Sequence, residues 1–259
     1  MSDEPRSVVF DRAADIYDAT RGFPQGVETG VAALIAQVGS LGPDSRVLEV
    51  GVGTGRVALP LAALVRDVTG VDLSTPMLAQ LVAKRASQRV VVARADAVRL
   101  PFRAQCFDAV LGVHFFHLVP QWRDALAEVG RVLRHGAPLL LGADDPQDTW
   151  ARCREDLATR DAVEHVGVPR GRFFDFPLDL GWRPLGERQR IAFARRIRPR
   201  QILERLADRS WSITWRMSDA QIEHAVAALR PELVARFGDL DAEADVEGGF
   251  SVQGWLAPE

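Results

Sequence analysis

Between residues 46 and 142 the chain alternates short apolar runs with stretches of helical period. This constrains the fold more than any other feature, because it is how βαβ units in a parallel sheet read. Residues 46–50 (RVLEV) predict a first strand, followed by a glycine turn and a helix over 55–66. A second strand is expected at 68–72 (VTGVD), and then a helix to about residue 86, with Ser74 or Thr75 as its cap and Pro76 in its first turn. Residues 90–93 and 107–113 (FDAVLGV) predict strands three and four, too short and too apolar for solvent-facing helices. After Pro120, Trp122, Ala125, Leu126, Val129 and Leu133 recur at helical spacing, Gly136 suits a helix cap, and 138–141 (PLLL) gives a fifth strand.

Beyond residue 142 the pattern loosens. A polar helix is expected over 149–163, an aromatic stretch over 173–184, an alternating strand over 188–196, and a short helix from Pro199. Ser218 and Gln221 form a capping-box pattern opening another helix, which Pro231 should kink or split. Residues 249–256 read as a last strand. The 259 residues suffice for one large α/β domain, and with 47% hydrophobic and 26% charged residues a core can form without disulfides or metals.

Several function classes lose support. A net charge of −3 offers no global attraction to polyphosphate, which argues against a dedicated nucleic-acid binder. Cys106 and Cys153 have no metal-ligand spacing, so no metal is expected, and they suit a reducing cytoplasm. No apolar run is long enough for a membrane span, and the amino terminus is acidic and polar where a signal peptide needs a basic stretch and an apolar one.

The chemistry concentrates at the strand ends. Glu49-Val50-Gly51-Val52-Gly53-Thr54-Gly55 lies between a predicted strand and a predicted helix, where a doubly wound sheet binds nucleotide-type ligands. Glycines there let the backbone approach a ligand and turn tightly. Asp72 ends the second strand and Asp96 follows the third, so one carboxylate can accept from two ribose hydroxyls and the other from an adenine amino group. A dinucleotide fingerprint would need Gly or Ala at position 56, where this chain has Arg56. Glu49 suits a ligand with a positive amino-acid end.

These residues resemble a known family. VLEVGVGTGRVALPLA, VTGVDLSTPMLAQL, VVARADAVRLPF and FDAVLGVHFFHLVPQWRDALAEVGRVLRHGAPLLL, in this order, are similar to the successive motifs of class I S-adenosylmethionine-dependent methyltransferases over residues 46–142. The resemblance implies a doubly wound α/β fold with a mostly parallel seven-stranded sheet, last strand antiparallel, plus helical additions in the C-terminal half. It implies one domain, with 1–45 as an N-terminal cap, 46–142 as the cofactor-binding core and 143–259 on the acceptor side. S-adenosylmethionine is the implied cofactor and S-adenosylhomocysteine the product. Gly51, Gly53 and Gly55 would flank the methionine part, Glu49 its positive end, and Asp72 the ribose. Leu73 and Met77 would pack on the adenine, Asp96 and Ala97 contact its edge, and Val113 and His114 line the floor near the sulfonium. Residues 10–17, with Arg21, resemble the family's leading helix, whose Tyr17 and Arg21 would close over the cofactor; simple packing is the other reading of Tyr17. Arg134-His135-Gly136 departs from the Pro-Gly-Gly of many relatives.

The implied reaction is methyl transfer to a small-molecule acceptor at O, N, S or C. His114 and His117 follow the fourth strand, and either could act as a base; either could equally hydrogen-bond backbone or pack beside Phe115 and Phe116. Phe173, Phe174, Phe176, Trp182, Trp211 and Trp215 could cover an acceptor or form ordinary core. Arg188, Arg190, Arg195, Arg196, Arg198, Arg200 and Arg205 could recognise an anion or simply keep a strand edge in water. The rival readings are a nucleic-acid methyltransferase, against which no Asn/Asp-Pro-Pro-aromatic motif follows the fourth strand, a non-catalytic S-adenosylmethionine-binding protein, and a nicotinamide oxidoreductase.

Overall fold

The structure, a computed structural model, describes residues 7, 9–144 and 166–258, so the helix expected over 149–163 lies outside it. Among the described residues seven strands form one sheet: β1 (Arg46–Val50), β2 (Asp67–Asp72), β3 (Val90–Arg94), β4 (Ala109–Val113), β5 (Pro138–Asp144), β6 (Arg183–Ile197) and β7 (Ala244–Leu256), in the order β3-β2-β1-β4-β5-β7-β6. β1 runs parallel to β2 and β4, β2 to β3, and β4 to β5, whereas β7 is antiparallel to β5. The order reverses between β1 and β4. In a doubly wound sheet that reversal opens a crevice at the carboxyl ends of the strands.

The strands read as continuous apolar runs because the inner ones are buried on both faces. Val47, Leu48, Val50, Val110, Leu111 and Leu139 to Leu141 have no measurable exposure. Each such side chain stabilises the fold by about 1.5–3 kcal/mol relative to exposure. The helices before and between the strands are α1 (Tyr17–Arg21), α2 (Val27–Val38), α3 (Ala58–Leu61), α4 (Thr75–Lys84) and α5 (Trp122–Val132). On α5, Trp122, Ala125, Leu126, Val129 and Val132 form the buried stripe that helical spacing requires.

Several boundaries differ from the sequence reading. The helix expected over 55–66 contracts to the four residues of α3, which contains Pro60. Proline has no N–H to donate, so the Arg56 carbonyl is denied its helical donor from position 60 and the helix starts later than expected, with Pro60 in its first turn. Gly136 does not cap α5, whose C-cap is Leu133; with φ +73° it turns the chain into β5 instead. β5 continues three residues past the expected strand, to Asp144, because every residue from Pro138 to Asp144 finds a partner on β7.

The described residues divide into two compact units, the first comprising 7, 9–144, 166–191 and 250–258, the second 192–249. In the second unit, α6 (Arg200–Ala207) and α7 (Asp219–Phe237) pack through Ile202, Leu203 and Leu206 against Ile222, Ala225, Leu229 and Leu233. The expected capping box on α7 is present, with the Ser218 hydroxyl accepting from the Gln221 N–H and the Gln221 side chain accepting from the Ser218 N–H. Pro231 does not split α7. It lies on the exposed face, where water can solvate the carbonyl that loses its partner.

Candidate active site

The glycine turn after β1 is bound to the end of β2. The Gly51 and Val52 N–H groups both donate to the Val71 carbonyl (2.9 and 3.0 Å), and the Gly53 N–H donates to Asp72 Oδ2 at 2.9 Å. Gly51, Gly53 and Gly55 all take positive φ (+68°, +54° and +80°), which a side chain would strain. A Cβ added at Gly51 would meet the Phe115 ring at 2.3 Å, whereas one added at Gly53 would meet nothing within 4 Å. The turn is thus covered at its first glycine and open at its second.

Asp72 receives a second N–H, from Ser74, at 2.8 Å, and burial raises its carboxyl above the ordinary range despite these donors. Each oxygen keeps a lone pair for a further donor. The end of β3 joins here too, since the Ala95 N–H donates to the Asp72 carbonyl (3.2 Å) and Arg94 Nε to the Leu73 carbonyl (3.0 Å). Asp96 folds into a local turn, accepting from the Val98 N–H at 3.1 Å. Met77 and Ala97 are buried, while Leu73, Asp96 and Val113 stay partly exposed.

Glu49 is buried, with 2% exposure, and its Oε2 has no hydrogen-bond partner among the described residues. Burial pushes its carboxyl up to about 8; Arg56 and the Ala58 N–H pull the other way and Asp72 adds to the rise. A buried, half-satisfied carboxyl costs stability unless something else answers it.

The N-terminal segment packs on the same region. Ser74 Oγ donates to Asp11 and Thr54 Oγ1 to Asp18, each at 2.6 Å, and Lys84, the chain's single lysine, pairs with Asp18 at 2.6 Å. Tyr17 lies edge-on to Phe10 with ring centres 6.0 Å apart. The Arg21 carbonyl accepts from Arg56 Nη1 at 2.5 Å.

At the end of β4, His114 has φ +49°, a conformation that costs a non-glycine residue about 1–2 kcal/mol. Its ring stands 6.3 Å from that of His117, and Phe173 lies within 6.4 Å of both. His114 Nε2 is 2.8 Å from the Asp144 main-chain N and 3.1 Å from Asp144 Oδ2. Asp144 in turn faces Arg56 Nη1 at 3.1 Å through Oδ2 and 3.3 Å through Oδ1. Although burial opposes it, Arg56 and His114 hold the Asp144 carboxyl well below the usual range. Burial pulls His114 down, and Asp144 restores part of that loss.

The strand ends therefore gather Glu49, the three glycines, Asp72, Leu73 and Asp96 around β1 to β3, and Val113, His114 and His117 around β4. Sequence reasoning missed Asp144 and gave Arg56 no role at the site. Had β5 been carried to residue 144, the rule that strand ends line such sites would have flagged Asp144. Two aromatic residues turn out to have local roles: Trp211 is core of the second unit, and Trp215 Nε1 donates to the Arg209 carbonyl at 2.8 Å. Of the arginine cluster, Arg196, Arg198 and Arg200 pair with Asp245, Glu243 and Asp241, which leaves less free charge for an anion. No group of metal-ligating side chains occurs among the described residues, and none of the described helices is long and apolar enough to cross a membrane.

Residues 48–141 match the methyltransferase domain family. The chain is 35% identical over 137 residues to a demethylmenaquinone methyltransferase of Roseiflexus castenholzii, covering 49% of this chain and 55% of that protein. It is 36% identical over 139 residues to a malonyl-[acyl-carrier protein] O-methyltransferase of Herminiimonas arsenicoxydans, covering 52% and 49%. The chain thus spans about half the length of these relatives. Among solved structures it resembles the YcgJ protein of Bacillus subtilis, with a TM-score of 0.59 at 20% identity over 89% of this chain and 99% of that one. That likeness concerns the fold.

Proposed function

We propose, on the premise that this chain is a class I S-adenosylmethionine-dependent methyltransferase, that it methylates a small-molecule acceptor at the carboxyl end of β4. The observation that carries this reading is Glu49: a buried carboxyl with one oxygen unpartnered among the described residues, beside a glycine turn open at Gly53, fits a ligand that brings an ammonium group. In the same arrangement Asp72 would accept from the ribose, Leu73 and Met77 would pack on the adenine, and Asp96 and Ala97 would meet its edge. Tyr17 and Arg21, on the segment that carries Asp11 and Asp18, would cover the cofactor.

When bound, S-adenosylmethionine would supply a methyl group activated by its sulfonium, to be passed in line to an acceptor nucleophile as the S–CH3 bond breaks and the neutral thioether S-adenosylhomocysteine leaves. The protein's part is alignment, which can supply much of the rate without a metal. Val113 and His114 would form the floor, and His114 or His117 would remove a proton from an acceptor that must lose one. A small acceptor accords with the demethylmenaquinone named for the first relative, while the name of the second gives a malonyl group carried on a protein.

The test is differential scanning fluorimetry with S-adenosylhomocysteine and with NAD. A ligand at 100 times its dissociation constant adds about 2.7 kcal/mol to the stability of the native state, so the melting temperature should rise with the former only. A rise with NAD alone would overturn the assignment. Incubation with labelled S-adenosylmethionine and pooled metabolites then identifies the acceptor.

A further inference from the structure

We infer that Asp144 and Arg56 are positioning residues that set the proton-accepting state of His114. The inference rests on the reading of His114 as the base. It stands on geometry: four parts of the chain meet here, namely the β4 end (His114), the β5 end (Asp144), the glycine turn (Arg56) and the end of α1 (the Arg21 carbonyl). The register of β4 on β5 pairs Val113 with Gly142, so His114, just past the end of β4, comes beside Asp144, the last residue of β5.

His114 Nε2 has two partners that cannot both be served at once. With the ring proton on Nδ1, Nε2 accepts the Asp144 main-chain N–H at 2.8 Å. With the proton on Nε2, it donates to Asp144 Oδ2 at 3.1 Å, and Nδ1 carries the lone pair. Only the second tautomer can take a proton at Nδ1. When it does, the acceptor's proton moves to Nδ1, the Nε2–H bond to Oδ2 is kept, and the ring becomes an imidazolium facing a carboxylate. That is the role of the orienting acid in a base–acid pair.

Arg56 keeps Asp144 in place and tempers it. Its side chain is 10% exposed and lies 4.2 Å above the Phe23 ring. By sharing the Asp144 carboxylate it holds that group ionised, yet its own charge opposes a proton on His114. The charged groups acting on the ring are thus Asp144, which favours the imidazolium, and Arg56 and Arg21, which disfavour it, with the His117 ring alongside. The left-handed backbone of His114 adds support, because such strain persists where the surroundings fix a residue.

The two variants that test this make opposite demands. In Asp144→Asn the His114 ring loses its counter-charge and its titration should fall by about one to three pH units. In Arg56→Gln it loses the opposing cation and its titration should rise. The measurement is the NMR titration of the histidine ring protons, with His114 identified among the five histidines by the resonance missing in His114→Gln. Opposite shifts would establish the arrangement, and a purely structural role would not produce them. Shifts in the same direction, or an unmoved His114 in a folded Asp144→Asn, would overturn it. If Asp144→Asn does not fold, Arg56→Gln decides alone, since a titration that fails to rise contradicts the inference. Once an acceptor is known, the pH profile of turnover separates the two levels. A profile that follows the NMR shift supports both. NMR shifts without a change in the profile keep the Asp144–Arg56 arrangement and remove His114 as the base.

Discussion

Glu49→Gln should strengthen the fold and weaken cofactor binding at the same time. In the unfolded chain Glu49 ionises near 4.5, and in the folded protein near 8. Between these values the unfolded state is charged and the folded state holds a proton, so the residue costs stability as pH rises. The cost is absent below 4.5, grows by about 1.4 kcal/mol per pH unit, and levels off above about 8. It amounts to roughly 3 kcal/mol at pH 7 and roughly 5 at pH 8 and above. Glutamine is nearly isosteric, can still accept the Ala58 N–H, and carries no charge, so the variant escapes the cost. Urea denaturation from about pH 4.5 to 9 should show little difference at the acid end and a widening advantage for the variant toward the alkaline end. Cofactor affinity should move the other way. An ammonium beside Glu49 requires the ionised form, so binding to the wild type should release a proton near pH 7 and tighten up to tenfold per pH unit below 8. The variant should bind about ten- to a hundredfold more weakly at pH 8, the loss expected for a charged hydrogen bond, and show no such pH dependence. Calorimetry in two buffers of different ionisation enthalpy reads both quantities. A folded Glu49→Gln that is no more stable at pH 8 would refute the burial argument, and equal affinity would remove Glu49 from the cofactor site.

Asp72→Ala should cost about 2–4 kcal/mol of cofactor affinity, measured calorimetrically, and should loosen the turn that the Gly53 N–H anchors. Gly51→Ala should destabilise more than Gly53→Ala, because both are strained by about 1–2 kcal/mol but only the first meets the Phe115 ring; adding Phe115→Ala to Gly51→Ala should recover part of the difference in denaturation midpoint. Trp255, 2% exposed, has an indole N–H without a partner among the described residues, so Trp255→Phe should lose well under the ~3–5 kcal/mol of a large-to-small change, as judged by melting. Trp211→Ala should lower the melting temperature through the core of the second unit.

The order of β1 to β5 along the chain, the glycine turn, the Ser218 cap and the positions of Asp72 and Asp96 at strand ends were legible from sequence because each depends on a short window of chain. Apolar periodicity, turn residues and capping spacing all act within about seven residues. The late start of α3 also had its cause in view, in Pro60. What sequence could not supply is which strand ends touch. Asp144 reaches His114 because β4 and β5 are adjacent and Val113 stands opposite Gly142, and register is set by the assembled sheet. The same holds for Arg56, a residue of the glycine turn whose partners lie 35 and 88 positions away, and for Asp11 and Asp18, which meet Ser74 and Thr54 across 63 and 36 positions. The arginine cluster followed this rule as well: composition left an anion site and a solvated strand edge both open, and packing supplied Asp241, Glu243 and Asp245 as partners of three of its members. Charge and hydrogen-bond pairing act over a few ångströms of space, and only the folded chain decides which residues come that close.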